Sequence, residues 1–145
     1  SPKLQAKDAT PASAAPAAEL TYRQLDGHGD VAVVGEQHYR DTVRWLAATV
    51  KERSAVTAAL VPEPENPHDR SAVRVDVLHD GRHYKVGYLG GDVAPAYQAA
   101  LLPLTQRGTY ATVPAKIWGV EKGADVLQVY LRLAPADSLM LEEQD

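Results

Sequence analysis

The stretch at residues 60–89, LVPEPENPHDRSAVRVDVLHDGRHYKVGYL, constrains the fold most, because it carries the signature of a β-hairpin. Asp80-Gly81 suits a two-residue type I′ turn, since both central residues need a positive φ that Asp and Gly tolerate. With that turn, apolar residues pair along one face: Val77 with Tyr84, Val75 with Val86 and Val73 with Tyr88. The other face pairs Asp76 with Lys85, which we expect to form an exposed ion pair.

Length and composition predict one domain with its own core. The chain has 145 residues, 45% of them hydrophobic, and no cysteine, so disulfides and thiolate metal sites are excluded. No apolar run is long enough to span a membrane and no secretion signal is present, so we expect a soluble, cytoplasmic protein. The first residue is Ser rather than Met, which suggests a processed or excised piece.

Charge is unevenly distributed along the chain. The net charge is −4, but residues 31–133 hold 12 Lys and Arg against 11 Asp and Glu, and residues 134–145 hold four acids and no base. A neutral core permits a local binding pocket. It predicts weak non-specific DNA affinity, because such affinity rests on many phosphate contacts.

Three regions follow from the composition. Residues 1–19 are rich in Ala and Pro and are predicted to be a disordered leader or linker. Residues 20–133 form the predicted domain, with a short ordered lead-in over residues 20–30. Residues 134–145 are an acidic tail.

Periodicity and turn signals place the elements of the domain. The predictions are a strand over Val31–Gln37, a helix from Asp41 or Thr42 to about Arg53, a strand over Ala55–Val61, the hairpin, and a helix capped by Asp92. We expect this second helix to kink or end near Leu102, because Pro103 removes a backbone donor.

A second hairpin is predicted from Thr109–Glu121 and Asp125–Leu133, joined by a three-residue loop at residues 122–124. Its apolar pairs are Gly119 with Leu127, Ile117 with Val129, Ala115 with Leu131 and Val113 with Leu133. The opposite face carries Lys116, Trp118, Tyr130 and Arg132. Aromatic rings between cations can bind a nucleic-acid strand; the alternative is an ordinary sheet face that is solvated or covered by a helix.

These elements predict a mainly β fold with two short helices. Five or six strands joined mostly by hairpins indicate a small, partly open β-barrel rather than a doubly wound α/β sheet.

The main enzyme signatures are missing, including a phosphate loop, GxSxG and HExxH. Five His occur in the chain, and His79 and His83, beside the hairpin turn, are expected at the surface. His38 and His68 each follow a buried strand. If the fold brought them to Asp69, the three could bind zinc or act as acid and base, although no cofactor is expected.

Asp69 in the sequence NPHD has two interpretations of equal weight. Its side chain can bond nearby backbone N–H groups and hold the turn after Pro67. It can also accept a hydrogen bond from a ligand hydroxyl. Different oxygens of one carboxylate can do both.

The motif EPENPHDRSAVRV followed by VGYL, and preceded by VVG at residues 33–35, resembles the HIRAN domain. The family pattern reads approximately EPxNPxDxxAVxV and then VGYL, and the resemblance covers about residues 31–133. It implies an oligonucleotide/oligosaccharide-binding-like (OB-like) β-barrel that grips the 3′ end of single-stranded DNA. The family occurs attached to helicase-like ATPases and, in bacteria, in small or otherwise fused proteins.

The resemblance also implies which residues bind DNA. Two residues after VVG contact the terminal bases, the Asp of NPxD accepts the 3′ hydroxyl, and the residue before it and the third residue of VGYL line the pocket. The matching positions are Gln37, His38, Asp69, His68 and Tyr88. Stacking on His38, His68 and Tyr88 would each contribute about 1 to 3 kcal/mol.

The chain departs from the family pattern at several of these positions. Gln37 and His38 stand where Arg and Tyr can occur, His68 replaces a Tyr, and Gly91-Asp92 fall where a Lys is expected. We therefore expect weak, salt-sensitive DNA binding that improves at low pH, where both His are charged.

The leading hypothesis is a non-enzymatic module for single-stranded DNA with a free 3′ end, working beside a helicase-like or other DNA-processing protein. The main alternative is a protein-interaction module on the same fold. A third is a His-dependent metal-binding hydrolase.

Overall fold

A computed structural model of the chain describes residues 21–25, 27, 29–119 and 128–137. Its strands and helices in chain order are β1 (Thr21–Gln24), β2 (Val31–Ala32), α1 (Arg40–Thr49), β3 (Val56–Pro62), β4 (Val73–His79), β5 (Arg82–Tyr88), α2 (Ala94–Gln106), β6 (Thr109–Trp118) and β7 (Gln128–Leu131). A 3₁₀ turn, Glu36–Tyr39, leads into α1. The predicted leader at residues 1–19 and the tail beyond residue 137 lie outside the described residues.

The strands form one strongly curled, half-barrel sheet, which confirms the predicted mainly β, OB-like fold with two helices. The strand order is β2, β7, β6, β3, β4, β5, and neighbours along it are antiparallel. β1 lies parallel to the first half of β6, on the same edge that β7 occupies further along. This strand falls in the region predicted only as an ordered lead-in.

One face of the sheet is apolar and is covered by the helices. α1 contributes Val43 and Leu46, and α2 contributes Tyr97 and Leu101. The sheet side of the core consists of buried apolar residues, among them Leu60, Val73, Val75, Val77, Tyr84, Val86, Val113, Ile117, Val129 and Leu131. Burial of this apolar surface is the main favourable term for folding.

The tip of the first hairpin is as predicted. Asp80 has φ 53° and Gly81 has φ 77°, the signs that a type I′ turn requires. Val77 pairs with Tyr84, which confirms the register next to the turn.

The predicted register is wrong at the far end of this hairpin. Val75 pairs with Gly87 rather than Val86, and Tyr88 pairs with Arg74, because the ladder shifts between Val75 and Asp76. A Cβ on Gly87 would lie 2.5 Å from the Val34 carbonyl oxygen, so the close approach of the segment after β2 requires glycine. The bulge turns Tyr88 onto the polar face of the sheet.

Asp76 is not part of an exposed ion pair, which corrects the sequence prediction. Its carboxylate is fully buried and accepts hydrogen bonds from Arg74 Nε and Nη2, both at 2.9 Å. His83 Nδ1 lies 2.9 Å from Asp76 Oδ2. His83 is 3% exposed rather than at the surface as predicted, and His79 is half-buried beside Trp45.

His83 also ties β1 to the hairpin. Its Nε2 lies 2.6 Å from the Tyr22 hydroxyl oxygen, so the tautomer that donates Nδ1–H to Asp76 can accept the Tyr22 O–H at Nε2. Burial raises the pKa of Tyr22, and the charges of Tyr110 and Asp76 raise it further. The hydroxyl therefore stays protonated and able to donate at neutral pH.

The predicted end of the first strand and both predicted ends of the first helix are wrong. The strand predicted over Val31–Gln37 stops at Ala32, and Gly35, with φ 78°, opens the 3₁₀ turn. The first helix begins at Arg40 without a side-chain cap from Asp41 or Thr42 and ends at Thr49 rather than about Arg53.

The second helix continues through Pro103 to Gln106 instead of ending near Leu102. Asp92 does not cap it, because the N-terminal cap residue is Val93. Leu101 and Leu104 are buried on either side of Pro103, so packing offsets the lost backbone donor.

The second hairpin has the predicted register where the structure describes it. Ala115 pairs with Leu131 and Ile117 with Val129. The pairing of Gly119 with Leu127 and the loop at residues 122–124 lie outside the described residues. The predicted pair of Val113 and Leu133 lies beyond the ladder, which ends at Ala115 and Leu131, although a hydrogen bond from the Arg132 N–H to the Pro114 carbonyl continues the same register.

Within the described residues, no helix combines the length and the apolar character needed to cross a bilayer.

Asp76→Asn should lower the free energy of unfolding by about 3 kcal/mol or more, because it leaves the buried Arg74 charge without its main partner. Chemical denaturation at pH 7 measures the change. The control is Asp41→Asn, an exposed carboxylate in the first turn of α1 whose loss should cost less than about 1 kcal/mol.

If Asp76→Asn does not fold, the double variant Arg74→Met/Asp76→Leu removes both charges and should be more stable than Asp76→Asn. A single variant as stable as Asp41→Asn would show that the buried pair does not hold the sheet.

Candidate functional site

The loop between β3 and β4 is organised by Asn66. Asn66 Oδ1 accepts hydrogen bonds from the backbone N–H groups of His68, at 2.8 Å, and Asp69, at 3.2 Å. Its Nδ2 donates to Glu63 Oε1 at 2.9 Å. A short polar side chain that bonds nearby backbone groups fixes a turn without regular secondary structure. The side-chain amide of Asn66 therefore fixes the backbone at His68 and Asp69, the two predicted site residues on this loop.

Asp69 uses one oxygen to close the loop, as the structural interpretation predicted. Its Oδ1 accepts a hydrogen bond from the Ser71 N–H at 2.9 Å. The side chain is exposed, and among the described residues no hydrogen bond reaches Oδ2. One oxygen thus orients the carboxylate, and the other is left to accept a further hydrogen bond.

The loop forms one wall of a cleft with a volume of about 600 Å³. Arg74, Tyr88 and Tyr110 from three strands line the rest of it, with Val61 and Pro62 at the end of β3. The lining residues from the loop are Glu63, Pro64, Glu65, Asn66, Pro67 and His68. An open cleft that combines two tyrosine rings with several polar side chains suits a flat ring with polar edges.

Glu63 connects the loop to the sheet. Its Oε1 accepts a hydrogen bond from the Tyr88 hydroxyl at 2.9 Å, and its Oε2 pairs with Arg74 Nη1 at 3.2 Å. Burial would lower the pKa of Arg74, but Asp76 and Glu63 outweigh it, and the pKa is raised. Arg74 is thus a permanent cation already neutralised by two carboxylates, so it positions Glu63 and has little net charge to offer a ligand.

Tyr88 lies between Glu63 and Lys85. Lys85 Nζ is 4.8 Å from the Tyr88 ring centre and 5.1 Å from that of Tyr39, which is cation-π range. Burial raises the pKa of Tyr88; Lys85 lowers it and Glu63 raises it, and the net direction is upward. Tyr88 therefore remains a neutral phenol with a half-buried ring at the edge of the cleft.

The structure places the predicted residues in two neighbouring groups. His68 and Tyr88 line the cleft, and Asp69 follows His68 on the loop. Gln37 and His38 are exposed on the 3₁₀ turn and do not line the cleft. That turn is held near Tyr88 by backbone hydrogen bonds between Val34 and Tyr88 in both directions.

Several site residues were not predicted. Glu63 and Asn66 are part of the quoted motif EPENPHD, so the signal for them was present. Arg74 gave a weaker signal, a cation between buried valines, and nothing in the chain pointed to Lys85, Tyr39 or Tyr110. Their roles depend on contacts between strands that are distant in sequence.

The predicted zinc trio is not assembled. Within the described residues no group of three or more His, Asp or Glu side chains lies close enough to hold a metal ion. The His38, His68 and Asp69 arrangement therefore has no support from the geometry.

The predicted second surface is assembled at the outer end of β6. Lys116 Nζ lies 6.0 Å from the Trp118 ring centre and 5.7 Å from that of Tyr130. Arg132 is exposed beside Lys116. The structure thus brings all four residues to one region, and no described helix covers Trp118, which is 52% exposed.

Asn66→Ala should loosen the loop, because two backbone donors lose their acceptor. We expect faster hydrogen exchange at the His68 and Asp69 amides and a loss of about 1 to 3 kcal/mol in stability. Exchange measured by NMR tests this directly. His68→Ala is the control, since its exposed side chain plays no part in these bonds, and equal exchange rates in both variants would contradict the role of Asn66.

Comparison with known families gives one match. The family model described as the HIRAN domain matches residues 26–130. No curated protein and no solved structure matches the chain.

Proposed function

The chain belongs to the HIRAN domain family, a family known for DNA binding, and we propose that it is a non-enzymatic module that binds single-stranded DNA at a free 3′ end. Recognition of a free 3′ end is supported mainly by the Asp69 carboxylate, whose two oxygens have different environments. Its Oδ1 accepts the Ser71 N–H, and its Oδ2 has no hydrogen bond among the described residues; Asp69 itself does not line the cleft but follows His68, which does.

A carboxylate acceptor can distinguish the end of a strand from its interior. Only a strand end has a free 3′ hydroxyl that can donate to Asp69; an internal linkage or a 3′ phosphate offers no such proton and brings a negative charge instead. A site built for a hydroxyl rejects a ligand without one, because the acceptor loses its partner. Hydrogen bonds to charged groups contribute about 1.5 to 3 kcal/mol.

The other proposed contacts are with bases. His68 and Tyr88 lie on two sides of the cleft and offer flat rings for stacking. Gln37 and His38 lie on the neighbouring 3₁₀ turn, where they can reach a base that projects from the cleft. The proposal includes no cofactor.

The charges near the cleft limit affinity. Glu63 and Glu65 line it, and its one lining Arg or Lys, Arg74, is neutralised by Asp76 and Glu63. The proposed binding is therefore weak and sensitive to salt. Such a module would act beside a helicase-like or other DNA-processing protein, and its cytoplasmic location stays a prediction.

The same acidic lining favours a second candidate, a protein-interaction module. Glu63 and Glu65 beside Tyr88 and Tyr110 suit the side chain of a Lys or Arg from a partner protein. Binding of a Lys-rich or Arg-rich peptide, with no response to DNA at low salt, would support this candidate over the first.

We expect the protein to bind a short single-stranded DNA with a free 3′ hydroxyl about tenfold or more tightly than the same strand 3′-phosphorylated. Asp69→Ala should abolish the difference, because the acceptor and the repelling charge both disappear. Fluorescence anisotropy at low salt measures both affinities for each protein.

Ser71→Ala is the matched control. It keeps the Ser71 backbone N–H that orients Asp69, so the preference for a free end should persist. Equal affinity of the unmodified protein for free and blocked ends would disprove 3′-end recognition.

A further inference from the structure

A surface separate from the cleft lies at the C-terminal end of β6, on β7 and on the residue that follows β7. We call it the distal platform, and its residues are Lys116, Trp118, Tyr130 and Arg132. Trp118 is one of two large apolar side chains exposed among the described residues, the other being Val34. Lys116 Nζ sits about equally far from the Trp118 and Tyr130 ring centres, at 6.0 Å and 5.7 Å. An exposed indole beside a second aromatic ring and two cations offers a stacking surface for a nucleic-acid base.

Two shallow depressions surround this platform. One, of about 290 Å³, is lined by Asp30, Lys116, Trp118 and Tyr130. The other, of about 250 Å³, is lined by Gly29, Asp30, Ser54, Pro114, Ala115, Lys116 and Arg132. Asp30 and Lys116 are shared by both and form a loose ion pair at 3.7 Å. Both side chains are more than a third exposed, so a phosphate can replace Asp30 at little cost.

The platform lies on the same strand as the cleft. Tyr110, which lines the cleft, and Trp118 are eight residues apart on β6, and residues an even number apart in a strand point to the same side. Eight residues of strand span at most about 27 Å. A single strand of DNA is long enough to contact both, because OB folds cover about 4 to 16 nucleotides.

The two ends of β6 complement each other in charge. The cleft has Glu63 and Glu65 and no available cation, as shown above. The platform has Lys116 and Arg132 against one acid, Asp30. Apart from the paired Arg74, the lining of the cleft therefore offers no cation to a bound strand, whereas the platform offers two cations beside two aromatic rings.

We propose that the distal platform binds the same DNA strand on the 5′ side of the end held in the cleft. Bases stack on Trp118 and Tyr130, and Lys116 and Arg132 contact phosphates. This inference rests on the proposed function and adds to it a second contact region, which makes affinity depend on the length of the strand.

The test compares two oligothymidylates with free 3′ hydroxyls, of 4 and 12 nucleotides, by fluorescence anisotropy at low salt. The unmodified protein should bind the longer strand at least tenfold more tightly. Trp118→Ala should weaken the longer strand about 5- to 50-fold and leave the shorter one unchanged, since a stacked base contributes about 1 to 3 kcal/mol. Trp118→Phe should retain most of the length effect.

Charge is tested with Lys116→Gln, which should reduce the salt dependence of binding to the longer strand only. Arg82→Gln is the charge-matched control, because Arg82 lies on β5, three strands away from β6 in the sheet. It should change neither length nor salt dependence.

The outcomes separate the two proposals. If Trp118→Ala binds the 12-nucleotide strand as well as the unmodified protein does, while the preference for a free 3′ hydroxyl remains, the platform inference is wrong and the proposed function stands. If neither strand binds, the proposed function is wrong, and this inference falls with it.

Discussion

The polar face of the sheet depends on one buried carboxylate, that of Asp76. Arg74 and His83 both bond to it, and all three side chains are at most 3% exposed. Taking such charges from water costs several kcal/mol for each ion, which good geometry offsets only if every partner stays in place. The arrangement therefore tolerates little change: loss of Asp76 would leave the buried guanidinium with Glu63 as its remaining carboxylate partner. This network of bonds also explains why β4, which has Arg74 and Asp76 at alternate positions, is buried on both faces.

The candidate site is connected to Asp76 through a chain of hydrogen bonds. Arg74 donates to both Asp76 and Glu63, and Glu63 also accepts hydrogen bonds from Tyr88 and Asn66. The loop amide of Asn66 then sets the backbone at His68 and Asp69. Because Arg74 is occupied in this way, the positive charge that a DNA strand requires must come from elsewhere on the fold. On the proposed function, the cleft would recognise the terminal group of the strand, and most of the electrostatic attraction would come from other surfaces.

Features set by local chemistry could be predicted from the sequence, and features set by distant contacts could not. The turn at Asp80-Gly81 and the pairing of Ile117 with Val129 follow from turn preference and alternation, and both are confirmed. The bulge near Gly87 depends on Val34, which is more than fifty residues away in the chain. The burial of His83 likewise depends on contacts with Tyr22, whereas its place beside the hairpin turn predicted a surface position. Helix α2 continues through Pro103 because its apolar side packs in the core, and local sequence preferences do not include that packing.

The same distinction applies within the site. Asn66, His68 and Asp69 lie in one short motif whose hydrogen bonds close within three residues, so the motif alone indicates the loop conformation. The motif by itself does not show that the loop is rigid, because its Glu63 is held by Arg74, and Arg74 is paired in turn with the buried Asp76. Discrimination of a hydroxyl requires an acceptor held to within a fraction of an ångström, since a mobile carboxylate accepts a hydrogen bond from water equally well. The end recognition proposed for Asp69 therefore rests on a buried ion pair that makes no contact with Asp69. On that proposal, a change that relaxes the Arg74 and Asp76 pair would weaken end recognition.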